Sequence, residues 1–386
     1  MTKIWDKIKD ISEKGKTVTT IGLATVIANA ISGIFWIYIA SLLGAAHYGE
    51  VNYFIAIATA ASTISLLGIP NTVLLYTAKG EKIQATVFFI AIISGIVASI
   101  VLFFISYNAP TSVFTFGSII FGLVTSQVLG MKMYNTYSKY LITQKILMVI
   151  LALVCYYLIG QSGIILGIGL SFFPYLITLY QGFKQSKIDF SLIKPHLGFM
   201  ANSYALDMTG VLSTSVDKLI IAPILGFELL GNFSLGMQVL AVLSILPSSV
   251  FKYILPHDAT GNPNKILKKA AIFASVGLAI LGITLSPIVT PIFFPKYTSA
   301  IVIIQIISLS IIPNTIGITY ISKLLGYEKM RFILISYAGY TVTNLSSIII
   351  LGRIFGINGA AMALVLASLV EMTILITFDR YLKKMV

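Results

Sequence analysis

Long apolar segments alternate with short polar segments along the whole chain. Twelve of the apolar segments are long enough to cross the hydrocarbon core of a bilayer, for which a helix needs about 20 residues. They occupy residues 18–40, 50–76, 84–106, 112–130, 141–159, 163–182, 200–222, 230–251, 267–290, 298–321, 331–351 and 357–377. The pattern predicts an all-α polytopic membrane protein with twelve transmembrane helices. A composition that is 57% hydrophobic and 10% charged excludes a soluble domain.

The basic residues predict the orientation of these helices. If the N-terminus lies in the cytoplasm, 23 of the 26 lysines and arginines fall in cytoplasmic segments, and only Lys218, Lys296 and Arg353 fall on the other side. Cytoplasmic loops are enriched in basic residues, so we expect both termini to be cytoplasmic in a multi-pass protein of the cell (plasma) membrane. The net charge of +13 then orients helices and meets anionic membrane lipids, and it does not indicate a nucleic-acid partner.

Two short glycine motifs occur twice in the chain. The segment LLGAAHYGEVNYF (42–54) resembles ILGFELLGNFSL (224–235), and their glycines align at an offset of 182. The segment IGQSG (159–163) resembles FGING (355–359) at an offset of 196. An internal repeat between apolar segments is typical of transporters, in which the binding site lies between the repeats. Six helices per repeat is an even number, so the two repeats are expected to be parallel.

The repeat and the loop lengths divide the chain into four predicted parts. Residues 1–16 alternate isoleucines with charged residues and are expected to form a short amphipathic helix at the membrane interface. Residues 17–182 form an N-terminal lobe with spans one to six, and residues 200–386 form a C-terminal lobe with spans seven to twelve. Residues 183–199 are the cytoplasmic linker between them.

Polar residues inside the predicted spans indicate where a substrate or ion could bind. In the seventh span, residues spaced by four, three, four and three positions share one helical face: Ser203, Asp207, Gly210, Thr214 and Asp217. The first span carries a comparable stripe: Gly22, Thr25, Asn29, Ser32 and Trp36. We expect these two faces to line a central cavity. The alternative is that the small residues only let helices pack closely.

The acidic residues differ in what their positions predict. Asp207 lies deep in a span without an obvious ion-pair partner, which favours the cavity, because an isolated charge in hydrocarbon is costly. Asp217 and Lys218 lie near the outer end of the same predicted helix and are expected to form an interfacial pair or rim. Glu371, in the twelfth span, fits a cavity or the interface equally well.

Four prolines lie within or at the ends of apolar segments, where each can kink a helix: Pro70, Pro174, Pro247 and Pro313. The single cysteine, Cys155, excludes an intrachain disulfide bond.

Four stretches resemble one family of membrane proteins. Residues 42–70, 216–236, 294–314 and 324–368 resemble the polysaccharide-biosynthesis (Wzx-type) flippases of the MATE-like, or MOP, superfamily. The resemblance implies two six-helix lobes that form a V around a central cavity. It also implies alternating access, with a polyprenyl-linked oligosaccharide carried from the cytoplasmic to the outer leaflet. Glycan-assembly enzymes would then be partners.

The chain departs from this family at two basic positions. Many members carry arginine before the first LG motif and after the second span, where this sequence has Ser41 and Leu75. Arginine at such positions suits phosphate or acidic sugars. Lys132 and Lys218 are the nearest remaining basic residues and are expected at the periphery, so the substrate class stays open.

Three other functions remain open on the sequence. A MATE-type antiporter of small molecules or drugs shares the fold, but such antiporters usually carry an acid in the first span, where this chain has Asn29. A glycan-processing enzyme would need catalytic residues on sizeable loops, and the three histidines lack metal-ligand spacing. A membrane scaffold would not need the polar stripes. We expect no cofactor and no metal, but coupling to H⁺ or Na⁺ through a carboxylate such as Asp207 is a hypothesis.

Overall fold

The computed structural model of the chain describes residues 2–184, 186–259, 264–297, 299–327 and 329–385. Side chains are described from residue 20 onward, except at residues 213, 214, 252, 253, 256, 257, 259 and 383–385. Within these ranges every regular element is a helix, as the apolar pattern predicts. The predicted interfacial segment 1–16 falls in the first helix, where its side chains lie outside the described residues.

Sixteen α-helices account for most of the described chain. The first eight are α1 (Thr2–Leu43), α2 (Ala45–Leu66), α3 (Ile69–Ala78), α4 (Gln84–Ser106), α5 (Ala109–Gly130), α6 (Tyr134–Ile159), α7 (Gln161–Leu170) and α8 (Leu176–Phe183). The others are α9 (Leu197–Thr214), α10 (Val216–Leu225), α11 (Phe227–Leu243), α12 (Ile245–Ala259), α13 (Lys265–Phe293), α14 (Ala300–Ser308), α15 (Ile311–Gly326) and α16 (Met330–Met385). Short 3₁₀ turns lie at Phe173–Tyr175, Phe190–Leu192 and Lys194–His196.

Helix length and composition identify a polytopic membrane protein. Among the described residues, 9 helical stretches are long and apolar enough to cross a membrane, and the number rises to 11 if each bent pair is one span. One bent pair is α2 with α3, at 49°, and the other is α11 with the start of α12, at 43°. These pairs correspond to the second and eighth apolar segments, which are equivalent in the predicted repeat.

Four of the helix breaks inside the apolar segments lie immediately before prolines. Pro70 is the second residue of α3, while Pro247 and Pro313 are the third residues of α12 and α15. Pro174 lies in the 3₁₀ turn that precedes α8. Proline has no N–H and is tolerated in the first turn of a helix, where that N–H would have no intrahelical acceptor. The expectation that these prolines disturb their helices is confirmed.

The contacts within the chain form two compact units. The first contains Met1–Phe35 and Phe54–Val211, and the second contains Trp36–Tyr53 and Leu212–Val386. Each unit has its own apolar core: Ile119 and Leu123 of α5 lie at the centre of the first. Phe233 of α11 lies in the apolar core of the second unit. The units therefore do not follow chain order, whereas the lobes predicted from the repeat do.

The segment 183–199 is folded onto the first unit. Thr86 donates its hydroxyl to the carbonyl of Asp189 and accepts the Asp189 N–H, at 3.2 and 2.9 Å. The ring of His196 lies 2.9 Å from the carboxylate of Glu81. Contacts at Asp189 and His196 thus hold this linker against the first turn of α4 and the loop that precedes it.

The repeated glycines have the same backbone conformation in both copies. Gly44 and Gly226 have φ angles of +78° and +89°, and Gly160 and Gly356 have φ angles of +76° and +59°. Residues with a side chain rarely adopt these angles, so glycine is required where one helix turns into the next. The sequence repeat is therefore also a repeat of local structure.

Two repeated glycines form a reciprocal contact between α2 and α11. A Cβ atom on Gly49 would lie 1.8 Å from the carbonyl oxygen of Phe227, and one on Gly231 would lie 1.8 Å from that of Ala45. Ala45 and Phe227 are themselves related by the offset of 182. Each copy of the motif therefore packs its glycine on the equivalent turn of the other copy, at a distance that excludes any side chain.

We expect Gly49→Ala to destabilise the protein by about 1–3 kcal/mol or more, because the added methyl group requires the two backbones to separate. Gly277→Ala in α13 is the matched control, since a Cβ there meets nothing within 4 Å. This control should be neutral or slightly stabilising, because alanine favours helix. Thermal unfolding in detergent measures both variants. Equal midpoints would contradict the close contact.

Candidate functional site

Asp207 lies in α9, which packs against the turn between α2 and α3. A Cβ on Gly68 would lie 2.4 Å from the carbonyl oxygen of Met200 and 2.6 Å from the backbone nitrogen of Tyr204. Gly68 is also left-handed, with a φ of +72°, so a side chain is excluded for two reasons. The turn thereby lets α3 approach α9 and brings Asn71 next to Asp207.

The carboxylate of the half-buried Asp207 has an amide partner. Asn71 Nδ2 donates a hydrogen bond to Asp207 Oδ1 at 3.3 Å. One turn earlier on α9, Ser203 is buried, with 3% of its surface exposed. The sequence predicted no ion-pair partner for Asp207, and the partner that the structure provides is neutral. An amide orients a carboxylate without neutralising its charge.

The polar residues of α1 differ in exposure, and none has a described hydrogen bond to Asp207. Thr25 and Ser32 are half-buried, Asn29 is exposed, and the Thr25 hydroxyl donates to the carbonyl of Ile21 in its own helix at 2.8 Å. Among the hydrogen bonds of the described residues, none joins these side chains to Asp207. Their place in a shared cavity with α9 stays a prediction.

A turn at Ser215 interrupts the helix of the seventh span. α9 ends at Thr214 and α10 begins at Val216, so Asp217 lies on a different helix from Asp207. One face from Ser203 to Asp217 stays a prediction, since α9 and α10 belong to one apolar stretch of 36 residues. The side chain of Thr214, which was part of this face, lies outside the described residues.

Asp217 is a buried residue. It is 3% exposed, and its carboxylate accepts the backbone N–H of Lys218 at 2.7 Å. Tyr340 of α16 interacts electrostatically with both Asp217 and Glu371. The interfacial pair or rim expected for Asp217 and Lys218 stays a prediction; the buried carboxylate of Asp217 interacts with the charge of Lys218. Lys218 is half-buried.

The second unit contains two buried ion pairs that the sequence did not predict. Lys268 Nζ donates to both carboxylate oxygens of Asp258, at 2.7 and 2.6 Å, and Ser322 Oγ donates to the same carboxylate at 2.6 Å. The adjacent Lys323 pairs with Asp379. These contacts join α12, α13, α15 and α16. The sequence did contain a signal for these ion pairs, because in each pair the lysine and the acid lie on the same predicted side of the membrane.

The second unit also places a lysine near Ser41, the position at which many Wzx-type flippases carry arginine. The Lys296 side chain packs against Gly44, where an added Cβ would lie 2.9 Å from Lys296 Cδ. Ser41 Oγ donates to the carbonyl of Phe293 at 3.2 Å.

Among the described residues, no three His, Cys, Asp or Glu side chains are arranged to hold a metal ion.

Comparison with solved structures identifies the fold. A structure of the lipid II flippase MurJ, in an inward closed conformation, matches with a TM-score of 0.73 at 15% identity, over 93% of this chain and 87% of MurJ. An inward-facing multidrug resistance MATE family transporter of the MOP superfamily matches with a TM-score of 0.66 at 12% identity, over 92% of this chain and 93% of that one. No protein-family model and no curated protein matches the sequence.

A third solved structure extends this comparison within one superfamily. A MOP superfamily transporter from Pyrococcus furiosus, whose binding pocket is described as having reverse polarity, matches with a TM-score of 0.59 at 14% identity. The match covers 95% of both chains. The chain therefore has the fold of MOP superfamily transporters, and the resemblance noted in the sequence is confirmed at that level.

We expect Lys268→Met to destabilise the protein by about 3–5 kcal/mol, because the buried Asp258 loses its charged partner. Lys269→Met, at the exposed neighbouring position, is the matched control and should change stability by about 0.5 kcal/mol or less. Combining Lys268→Met with Asp258→Leu removes both charges and should recover part of the loss. Thermal unfolding in detergent distinguishes these variants. A Lys268→Met midpoint equal to that of Lys269→Met would contradict the buried pair.

Proposed function

We propose that this protein is a membrane flippase that carries a polyprenyl-linked oligosaccharide or polysaccharide precursor from the cytoplasmic to the outer leaflet. The observation that carries the proposal is the fold match with the lipid II flippase MurJ over 93% of this chain. The sequence resemblance to Wzx-type flippases supports the same substrate class. Glycan-assembly enzymes would supply the precursor, and the cell membrane is the proposed location.

A flippase has to shelter a polar headgroup at membrane depth while the lipid tail stays in hydrocarbon. The polar residues of α9 and α3 suit the first task, because the half-buried Asp207 and Asn71 present hydrogen-bonding groups within apolar helices. Thr25, Asn29 and Ser32 of α1 are further candidates for contact with the headgroup. Alternating access would expose these groups to each side of the membrane in turn.

Coupling to H⁺ or Na⁺ would give this movement a direction. Asp207 is one candidate, because its amide partner leaves its charge uncompensated. Glu371 of α16, which interacts electrostatically with Tyr340, is the other, whereas Asp217 interacts with the positive charge of Lys218. A cation that binds one transport state better than another shifts the equilibrium between them by its difference in affinity.

We propose twelve spans with both termini in the cytoplasm. The count of 11 treats Met330–Leu382 as one stretch of 53 residues. Gly356 interrupts it with a φ of +59° and a ψ of −140°. A span needs about 20 residues, so this stretch is long enough for two. The distribution of basic residues supports the orientation.

The second candidate is a MATE-type antiporter of small molecules. It is favoured by the match with MATE transporters over 92% of this chain. Within 18–40, however, the sequence has Asn29 and no acid, whereas such antiporters usually carry an acid in the first span. An enzyme that processes glycans is a weaker candidate, because the three solved structures that match over 92–95% of this chain are transporters or flippases.

We expect purified protein in liposomes to move a fluorescent polyprenyl-pyrophosphate oligosaccharide between leaflets, measured with a membrane-impermeant quencher. Asp207→Asn should lower the initial rate about tenfold or more, the factor that 1.4 kcal/mol of lost interaction produces. The exchange variant Asn71→Asp/Asp207→Asn should restore part of the rate, since it returns a carboxylate to the same pair. Asp189→Asn, in the exposed linker, is the control and should leave the rate unchanged.

One outcome of this assay would contradict the flippase, and another would contradict only the role of Asp207. No leaflet movement with any of several glycans, together with ion-coupled uptake of a cationic dye, would favour the antiporter. Movement that Asp207→Asn leaves unaffected, in both rate and ion dependence, would remove Asp207 from the transport path while keeping the flippase.

Cysteine labelling tests the topology. In a Cys155→Ala background, Arg353→Cys should react with a membrane-impermeant maleimide in intact cells, because it lies on the proposed outer side. Lys187→Cys, in the linker, should react only after the membrane is permeabilised. Both positions are exposed, so accessibility to the reagent depends on the side of the membrane. Labelling of both variants in intact cells would refute the proposed arrangement.

A further inference from the structure

The linker at residues 183–199 exposes large apolar side chains. It lies between α8 and α9, which both belong to stretches long and apolar enough to cross the membrane, so the linker lies at a membrane surface. Ile188, Phe190 and Leu192 are 46%, 56% and 39% exposed. We call these three side chains the linker patch. Clustered apolar residues on a surface mark a site of contact with a membrane or another molecule.

The backbone of the linker patch is held in place by the first unit. Ile193, the residue after the patch, is buried in the apolar core of this unit. Thr86 of α4 bonds both the N–H and the carbonyl of Asp189, which lies between the first two residues of the patch. The patch is therefore presented before any ligand binds, and binding costs it little conformational entropy.

The linker patch adjoins an apolar surface of α4. The rings of Phe190 and Phe89 meet edge to face, with their centroids 6.1 Å apart. Phe89 is exposed, and every other exposed residue of α4, as far as Ile105, is apolar as well. On its other sides α4 packs on α3, α5 and α8. The patch and the exposed surface of α4 therefore share one surrounding medium.

The medium beside this surface is the hydrocarbon of the bilayer. A cavity that holds water or a polar headgroup needs polar side chains, and the exposed surface of α4 has none. Apolar residues exposed along a spanning helix are typical of contact with lipid tails. Phe89 lies five residues after Gln84, the start of α4, which is about 8 Å along the helix axis. The linker patch thus lies at the edge of the hydrocarbon, a depth typical of interfacial segments.

Exposed lysines flank the linker patch on both sides. Lys184 and Lys187 precede it, and Lys194 follows it. These three lysines and one acid, Asp189, give residues 184–194 a net charge of +2. A lysine at a membrane surface keeps its stem in the interface and its ammonium group among the headgroups. The phosphate of an anionic lipid is the complementary partner, whereas a zwitterionic headgroup has no net charge.

We propose that the linker patch inserts into the leaflet that it borders, where Lys184, Lys187 and Lys194 bind the phosphates of anionic phospholipids. The bilayer itself supplies this ligand. The proposal goes beyond the transport function and needs neither the transported substrate nor the orientation of the termini. Because the linker leads directly into α9, bound lipid would fix the start of the helix that carries Asp207.

Tryptophan fluorescence tests the position of the linker patch. In a Trp5→Phe/Trp36→Phe background, Phe190→Trp supplies the one indole of the chain. The protein is placed in nanodiscs whose phospholipids carry bromine near the top of the acyl chains, since bromine quenches an indole that it touches. We expect Phe190→Trp to lose about half of its emission or more, because interfacial segments reach this depth. Ile93→Trp, one turn after Phe89 on the exposed surface of α4, is the matched control and should also be quenched.

The role of the lysines has its own variants. With bromine on phosphatidylglycerol alone, Phe190→Trp should be quenched about twofold more than with bromine on phosphatidylcholine alone, in discs of the same lipid mixture. Lys187→Gln/Lys194→Gln should abolish this preference, and so should salt at about 1 M, which screens surface charges. Lys265→Gln/Lys269→Gln, which removes the same charge from exposed positions of α13, is the control and should keep the preference.

Three results would overturn the proposal. Quenching of Ile93→Trp without quenching of Phe190→Trp would place the patch outside the bilayer, against water or another protein. Absence of quenching in both variants would show that the exposed surface of α4 does not face lipid. Equal quenching by the two brominated lipids would refute the binding of anionic phospholipid. Leu192→Trp replaces Phe190→Trp if the latter does not give a single peak in size-exclusion chromatography.

Discussion

The structure depends on one constraint, which is that a backbone in hydrocarbon has to satisfy its own hydrogen bonds. Lipid offers no partner for an N–H or a carbonyl, and the described chain is accordingly built from helices. Prolines meet this constraint in different ways. Pro70 and Pro247 stand in the first turn of a helix, where a backbone N–H has no intrahelical acceptor. Pro287 stands inside α13, and the Gln305 amide donates to the Ile283 carbonyl that this proline leaves without its usual partner.

Those parts of the fold that depend on neighbouring residues could be predicted from the sequence. Helices follow from apolar segments, breaks follow from prolines such as Pro70, and left-handed turns follow from repeated glycines such as Gly44. The pair of Asn71 and Asp207 was not predictable in this way, because 136 positions separate the two residues and only tertiary packing joins them. The break at Ser215 also gave no signal, since the polar spacing continues through it and neither glycine nor proline marks it.

The acidic residues differ in the partners that they meet. Asp258 and Asp379 form ion pairs with lysines, and these pairs connect neighbouring helices. Asp207 meets an amide, and Asp217 accepts the backbone N–H of Lys218 and also interacts with the charge of that lysine. An ion pair buried in this way holds helices together at little net gain in stability, but at high cost if one partner is lost. Carboxylates whose described hydrogen-bond donors are neutral retain the capacity to bind a cation, which a coupled transporter requires.

The contact between Gly49 and Gly231 has a consequence for how the two sequence copies can change. A contact in which residue 45 meets residue 231, while residue 227 meets residue 49, maps onto itself when the copies are exchanged. This is the rule of an isologous interface in a two-fold dimer, here made within one polypeptide. Each copy supplies both a glycine and the surface that receives the other glycine. Neither copy can therefore acquire a side chain at this point on its own, and the duplication constrains the two segments to diverge together.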